Sequence, residues 1–176
     1  MRKLLKEIAR EDAIYFAGLF DGEGCVGLWE RDIKHSGIGR KTPYFSIDLS
    51  VSNTNVEVLE HIRRTIGGSL GTSNSYKLMK NGKPRRKLHR WAAQSNESYH
   101  ILKAAAPFLI VKREQALLAM EFHETTRAFL NLPHPGVYGK LPISDAEVQR
   151  RRSYVQRMKA MKQATYAPAT VTAPLS

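Results

Sequence analysis

Residues 16 to 24, Phe-Ala-Gly-Leu-Phe-Asp-Gly-Glu-Gly, bring together residue types suited to close helix contact and to cation chemistry. Gly18 and Gly22 stand four apart, on one side of a helix, where the missing Cβ lets another backbone approach. Asp21 and Glu23 follow at the glycine-rich end of that helix. The helix dipole gives a carboxylate no support there, so two acids in this place suit a site to which a cation comes. The plainer alternative is a helix packed through its small residues on its own sheet, with both acids solvated. For a bare Gly-x-x-x-Gly in a soluble protein that alternative is the commoner one.

Other chemistries are excluded. Cys25 is the only cysteine, which rules out an intrachain disulfide and a cysteine-based zinc site. The six histidines are scattered, with no pair spaced as on a metal-binding helix. Acids and bases interrupt the first dozen residues, so they lack the apolar core of a signal peptide, and no apolar run is long enough to span a membrane. The expectation is a soluble intracellular protein. Its 28 Lys and Arg against 16 Asp and Glu leave a net charge of +12. Such an excess repels itself unless a polyanion neutralises it. Nucleic acid is the first candidate, an anionic membrane surface the second, and solubility alone the third.

The chain supplies elements to hold these residues. A short helix is expected over 12–21, capped by Asp12 and stopped by Gly22 and Gly24. A strand from Cys25 to Arg31 leads into a charged, glycine-rich loop. Tyr44 to Val51 is the clearest strand, with Phe45, Ile47, Leu49 and Val51 on one face and Tyr44, Ser46, Asp48 and Ser50 on the other. Thr54 and Glu57 have capping-box spacing before a helix striped by Leu59, Ile62 and Ile66 and ended by Gly67-Gly68. Strands over 69–79 and 85–94 flank the turn Asn81-Gly82-Lys83-Pro84. A helix from about Asn96 halts before Pro107, and a longer one carries Val111, Leu118, Phe122 and Phe129. Ser144 and Glu147 open a basic helix to about Gln163.

Helix-strand-strand thus occurs twice. It predicts an α+β domain over 1–130, with one four-stranded antiparallel sheet and helices on one face only. The other face must be wet or must bind something. Residues 131–163 read as a linker and a basic helix packing on the domain, and 164–176 as a disordered tail.

The string Phe16–Gly24 resembles the LAGLIDADG motif of homing endonucleases, with Phe in place of Leu or Ile and Glu in place of the final Asp. The strand from Pro43 to Val51, the step Val51-Ser52-Asn53-Thr54, and Pro107-Phe108-Leu109-Ile110-Val111-Lys112 also look like single-motif members of that family. Residues 12–130 are covered. The resemblance implies the αββαββα fold with a saddle-shaped sheet, and a homodimer through the motif helix at Ala17, Gly18, Asp21 and Gly22. It implies that Glu23 binds Mg²⁺ (or Mn²⁺) with help from the Gly22 carbonyl, while Asp21 serves the helix end. Lys112 matches a basic residue near the cleavage centre. Asn53 matches a polar residue that organises solvent, although helix capping explains it equally well. An arginine that some relatives carry has no match, because Val56 and Glu57 occupy its region. The implied activity is a sequence-specific double-strand break in DNA with a long pseudo-palindromic site. The alternatives are an RNA maturase assisting intron splicing and a catalytically dead DNA-binding regulator.

Strand alternation supplies the reading surface that this activity needs. Arg31, Tyr44, Ser46, Asp48, Ser50, Arg86 and Arg90 fall on or beside the open face, where Arg can read guanine and Asp can accept from cytosine. Arg40 and Lys41 in the first loop, and Lys77, Lys80, Lys83 and Arg85 around the second turn, would hold phosphates. Lys87 flanks the same turn. The arginines of the C-terminal helix face phosphates, or else the helix merely packs through Val148, Tyr154, Val155 and Met158.

Overall fold

The computed structural model describes residues 7–31, 43–73, 87–130 and 143–166. Helix α1 spans Arg10–Glu23, longer at both ends than expected. Its N-cap is Ala9, without a side-chain cap, and Asp12 instead sits with Glu11 in the first turn, where acids favour the positive helix end. Ala13, Phe16, Ala17 and Phe20 recur at helical spacing and are buried. Gly22 does not stop the helix. The chain turns at Gly24, whose N–H still donates to the Phe20 carbonyl and whose missing Cβ leaves room for the Phe20 ring.

Strand β1 (Gly24–Arg31) pairs antiparallel with β2 (Tyr44–Asn53), from Gly24 opposite Val51 to Arg31 opposite Tyr44. Phe45, Ile47, Leu49 and Val51 are all buried, as period two requires. Helix α2 (Val56–Thr65) is capped by Asn55, whose side chain accepts from the Glu57 N–H, so the expected Thr54 cap moves by one residue. Gly67 and Gly68 follow with φ of +101° and +84°, the left-handed region that glycine enters freely. Gly68 also leaves space for the Trp91 indole, which donates to the Gly67 carbonyl at 2.7 Å.

Strands β3 (Ser69–Ser73) and β4 (Leu88–Gln94) complete an antiparallel sheet of order β1-β2-β4-β3. Helix α3 (Ser95–Ala105) runs into a 3-10 turn, Ala106–Phe108, that contains Pro107. Helix α4 is Arg113–Leu130. Val111 lies before it and is exposed rather than part of its apolar stripe. Phe16 stacks on Phe20 and meets Trp91 edge-on, so three fully buried rings fasten α1 to the sheet. Truncating one such ring costs about 3–5 kcal/mol.

Helix α5 (Asp145–Tyr166) packs through Val148, Tyr154, Val155 and Met158, all buried. Ser144 accepts from the Glu147 N–H, half of the expected capping box. The Glu147 carboxylate turns instead to Arg150 and Arg151, both at 2.7 Å. Burial opposes its ionisation, but the hydrogen bonds and charges of the two arginines prevail and hold it below the usual carboxylate range. A depressed folded value means that the stabilisation is complete above the ordinary glutamate value and fades as pH falls through the lower folded one. Glu147→Gln should therefore lose about 3 kcal/mol in urea denaturation at neutral pH, the lower end for breaking a buried pair. The gap between variant and parent should close in acid. A gap that stays constant with pH would mean that these pairs within α5 do not contribute to the stability of the fold.

Candidate functional site

Asp21 organises the end of the motif helix. Its carboxylate accepts from the backbone N–H of Ile110 at 2.7 Å and of Lys112 at 2.9 Å, tying the segment after the 3-10 turn to α1. The Lys112 side chain is buried, and its ammonium donates to the Asp21 carbonyl. A cation there meets the negative end of the helix dipole. Glu23, two residues on, is the last residue of α1 and is exposed. The Gly24–Val51 pairing puts the end of β2 at this same end of the sheet. Asn53 is there, half-buried, with its side-chain oxygen accepting from the Asn55 N–H at 2.8 Å. Its oxygen thus shapes the turn into α2, leaving its amide group for solvent. Glu23, Lys112, Asp21, Gly22 and Asn53 lie around one corner.

Gly18 and Gly22 are exposed, and a Cβ at either would meet nothing within 4 Å beyond its own helix among the described residues. Ile14 and Tyr15 lie one turn back on α1, also exposed, and Ile110 and Val111 flank the helix end with 86% and 57% of their surface in solvent. Apolar side chains and bare glycines thus line one outward strip. Ala17 is not on it. Helical rotation turns that residue inward between Phe16 and Phe20, fully buried, so its side chain cannot meet a second copy.

Register puts Arg31, Tyr44, Ser46, Asp48, Ser50 and Arg90 on the sheet face away from the buried side chains. Arg31, Tyr44 and Arg90 are exposed, and Ser50 is half-buried. The Tyr44 hydroxyl shares a hydrogen bond with Ser95. Ser46 is the exception, with only 4% exposure. It lies opposite the large Trp29 and accepts from Arg31 Nε at 3.3 Å, so it cannot touch a base directly. Asp48 is bound to Arg31 at 2.5 Å. Arg40, Lys41, Lys77, Lys80, Lys83, Arg85 and Arg86 lie outside the described residues.

Trp29 also stands on the open face, opposite Ser46. Its indole lies over Gly27, in the space a Cβ would need, and is about half exposed on the open face. A glycine two residues before a tryptophan on one strand was the available signal. The arginines of α5 are engaged within the chain. Arg150 and Arg151 hold Glu147, Arg152 holds Glu30 at 2.7 Å, and Arg157 lies 3.7 Å from Glu121. Among the described residues, no cluster of three or more His, Cys, Asp and Glu could hold a metal. None of the described helices is long and apolar enough to cross a membrane.

Solved structures share this architecture. The homing endonuclease I-CvuI, in complex with its target, superposes with a TM-score of 0.63 at 13% identity, over 86% of this chain and 82% of its own. The archaeal intron-encoded homing endonuclease I-Vdi141I, complexed with DNA, gives 0.61 at 18% identity, over 86% and 84%. The LAGLIDADG homing endonuclease I-GzeII, with its DNA target, gives 0.53 at 13% identity over 90% of this chain but only 45% of its own. No protein-family model matches the sequence, and no curated protein matches it. The chain has the LAGLIDADG homing-endonuclease fold, an α+β unit whose four-stranded antiparallel sheet carries its helices on one face.

Proposed function

We propose that this chain is a sequence-specific homing endonuclease that hydrolyses both strands of DNA, with a divalent metal, as a homodimer. The observation that carries this is the exposed Glu23 at the end of α1, with the Lys112 ammonium at the same helix end and a strip of bare glycines alongside. The fold's solved examples named above were obtained with DNA targets, which supports the substrate class.

Glu23 and the Gly22 carbonyl are hard oxygen donors, which suits Mg²⁺ or Mn²⁺. Two donors from one chain are too few for a closed cage. They suffice for an ion that keeps several waters and takes further oxygens from phosphate. When bound there, such an ion supplies Lewis-acid stabilisation of the phosphate and a more acidic water. In this reading Lys112 offsets negative charge gathering at phosphorus, and the Asn53 amide orients solvent.

The dimer rests on two observations. The strip at Gly18 and Gly22 has room for another backbone, and this chain spans about half of I-GzeII, as one of two repeated units would. The partner is then a long pseudo-palindromic duplex. The deciding experiment incubates the protein with a plasmid carrying the joined sequences that flank its gene, with Mg²⁺ or with chelator. A metal-dependent linear product is expected. An uncut plasmid bound with high affinity would favour a catalytically dead regulator instead.

A further inference from the structure

On the open face of the sheet, Arg31 and Asp48 form a built arrangement rather than two independent contacts. We propose that Arg31 selects a guanine near the outer end of each half-site, and that Asp48 is a positioning residue that aims it rather than a base reader. This rests on the DNA-binding reading above.

The assignment follows from where each atom is engaged. A guanidinium presents five N–H groups in one rigid plane. Ser46 takes the Nε hydrogen at 3.3 Å and Asp48 Oδ2 takes one hydrogen of Nη2 at 2.5 Å, so both partners occupy the side edge of the fork. The end edge, Nη1 with the second hydrogen of Nη2, meets no partner among the described residues and faces a ligand. That edge has the spacing to meet guanine O6 and N7 together. Half of the Arg31 side chain is in solvent, so a base can reach it.

Asp48 has no such capacity. Its side chain is only 13% exposed, Oδ2 is held by Arg31, and Oδ1 is buried with no hydrogen-bond partner among the described residues. A carboxylate in this state has no oxygen to offer a cytosine amine. An ion pair with one half-exposed member contributes little to stability. Burying an acid beneath Arg31 is better explained by what it does to the guanidinium, which loses rotamer freedom before DNA arrives.

The position follows from the strand. β1 has 8 residues from Gly24 to Arg31, directly after Glu23. At about 3.3 Å per residue that places Arg31 about 26 Å from the acid. With β1 laid along the duplex, at about 3.4 Å per base pair, the selected guanine falls about eight base pairs from the cleavage centre.

The test is selection of the full-length protein on double-stranded DNA randomised across both half-sites, in chelator so that no strand is cut. The unchanged protein should enrich guanine at one symmetric pair of positions at that distance. Arg31→Ala and the charge-conserving Arg31→Lys should both flatten that preference, a loss of about 5- to 150-fold in discrimination. The near-isosteric Asp48→Asn should flatten the same position and no other, and should add nothing in an Arg31→Ala background. Melting curves confirm that each variant is folded. Enrichment at the Arg31 position untouched by Asp48→Asn, or a different position altered by it, would overturn the positioning role. A preserved guanine preference in Arg31→Ala would overturn the reader. If the unchanged protein enriches nothing, DNA recognition itself fails, and this inference with it.

Discussion

Glu23→Gln is expected to abolish DNA cleavage while leaving DNA binding intact. The side chain is exposed at the end of α1, so its exchange for an isosteric amide disturbs no packing. In the proposed reading it removes a carboxylate, with its negative charge, from the place a divalent metal would occupy. Lewis-acid stabilisation at a phosphoryl centre is worth several kcal/mol, so its loss slows the reaction about a thousandfold or more. Binding should hold or tighten, because a charge that repels phosphate is gone. Single-turnover cleavage in Mg²⁺ and fluorescence anisotropy on the same duplex separate the two effects. Cutting at the parental rate would remove Glu23 from the reaction.

Gly18→Leu should produce two effects of opposite sign. Among the described residues nothing beyond its own helix lies within 4 Å of a Cβ at this position, and glycine is a poor residue in a helix interior. Replacing it should stabilise the isolated chain slightly, by up to about 1 kcal/mol. Between chains, a leucine would wedge the two motif helices apart. Light scattering should report a shift from dimer to monomer, and double-strand cleavage should be lost, since in the proposed dimer each Glu23 would serve one strand. The combination of a firm fold and a lost assembly separates this outcome from simple unfolding. A monomeric parent protein that cuts an asymmetric site unaided would falsify the homodimer.

Much of this molecule was legible because its determinants are local. The alternation from Tyr44 to Val51 assigned both faces of β2, since a strand's side-chain period allows no other arrangement. Gly67-Gly68 marked the end of α2 because few other residues adopt their backbone angles. Helix starts were less legible. Ala9 begins α1 with no side-chain cap, and Asn55 competes with Thr54 for the same role. What could not be read depends on residues distant in the chain. Ser46 is buried because of Trp29 opposite and Arg31 beside it. The α5 arginines resembled a phosphate-binding row, but Glu30 on β1 and Glu121 on α4 claim two of them. Ala17 faces the core rather than the outward strip, because a motif gives spacing and not the rotation of the helix.

The two backbone bonds accepted by Asp21 also bear on how the protein would fail. They hold the Lys112 segment to the last turn of α1 through contacts of the chain itself. The relative position of that lysine and Glu23 is thus set during folding, and the entropy of assembling the corner is already contained in the folding equilibrium. Partial opening of this segment separates the two groups while the sheet and its buried rings stay intact.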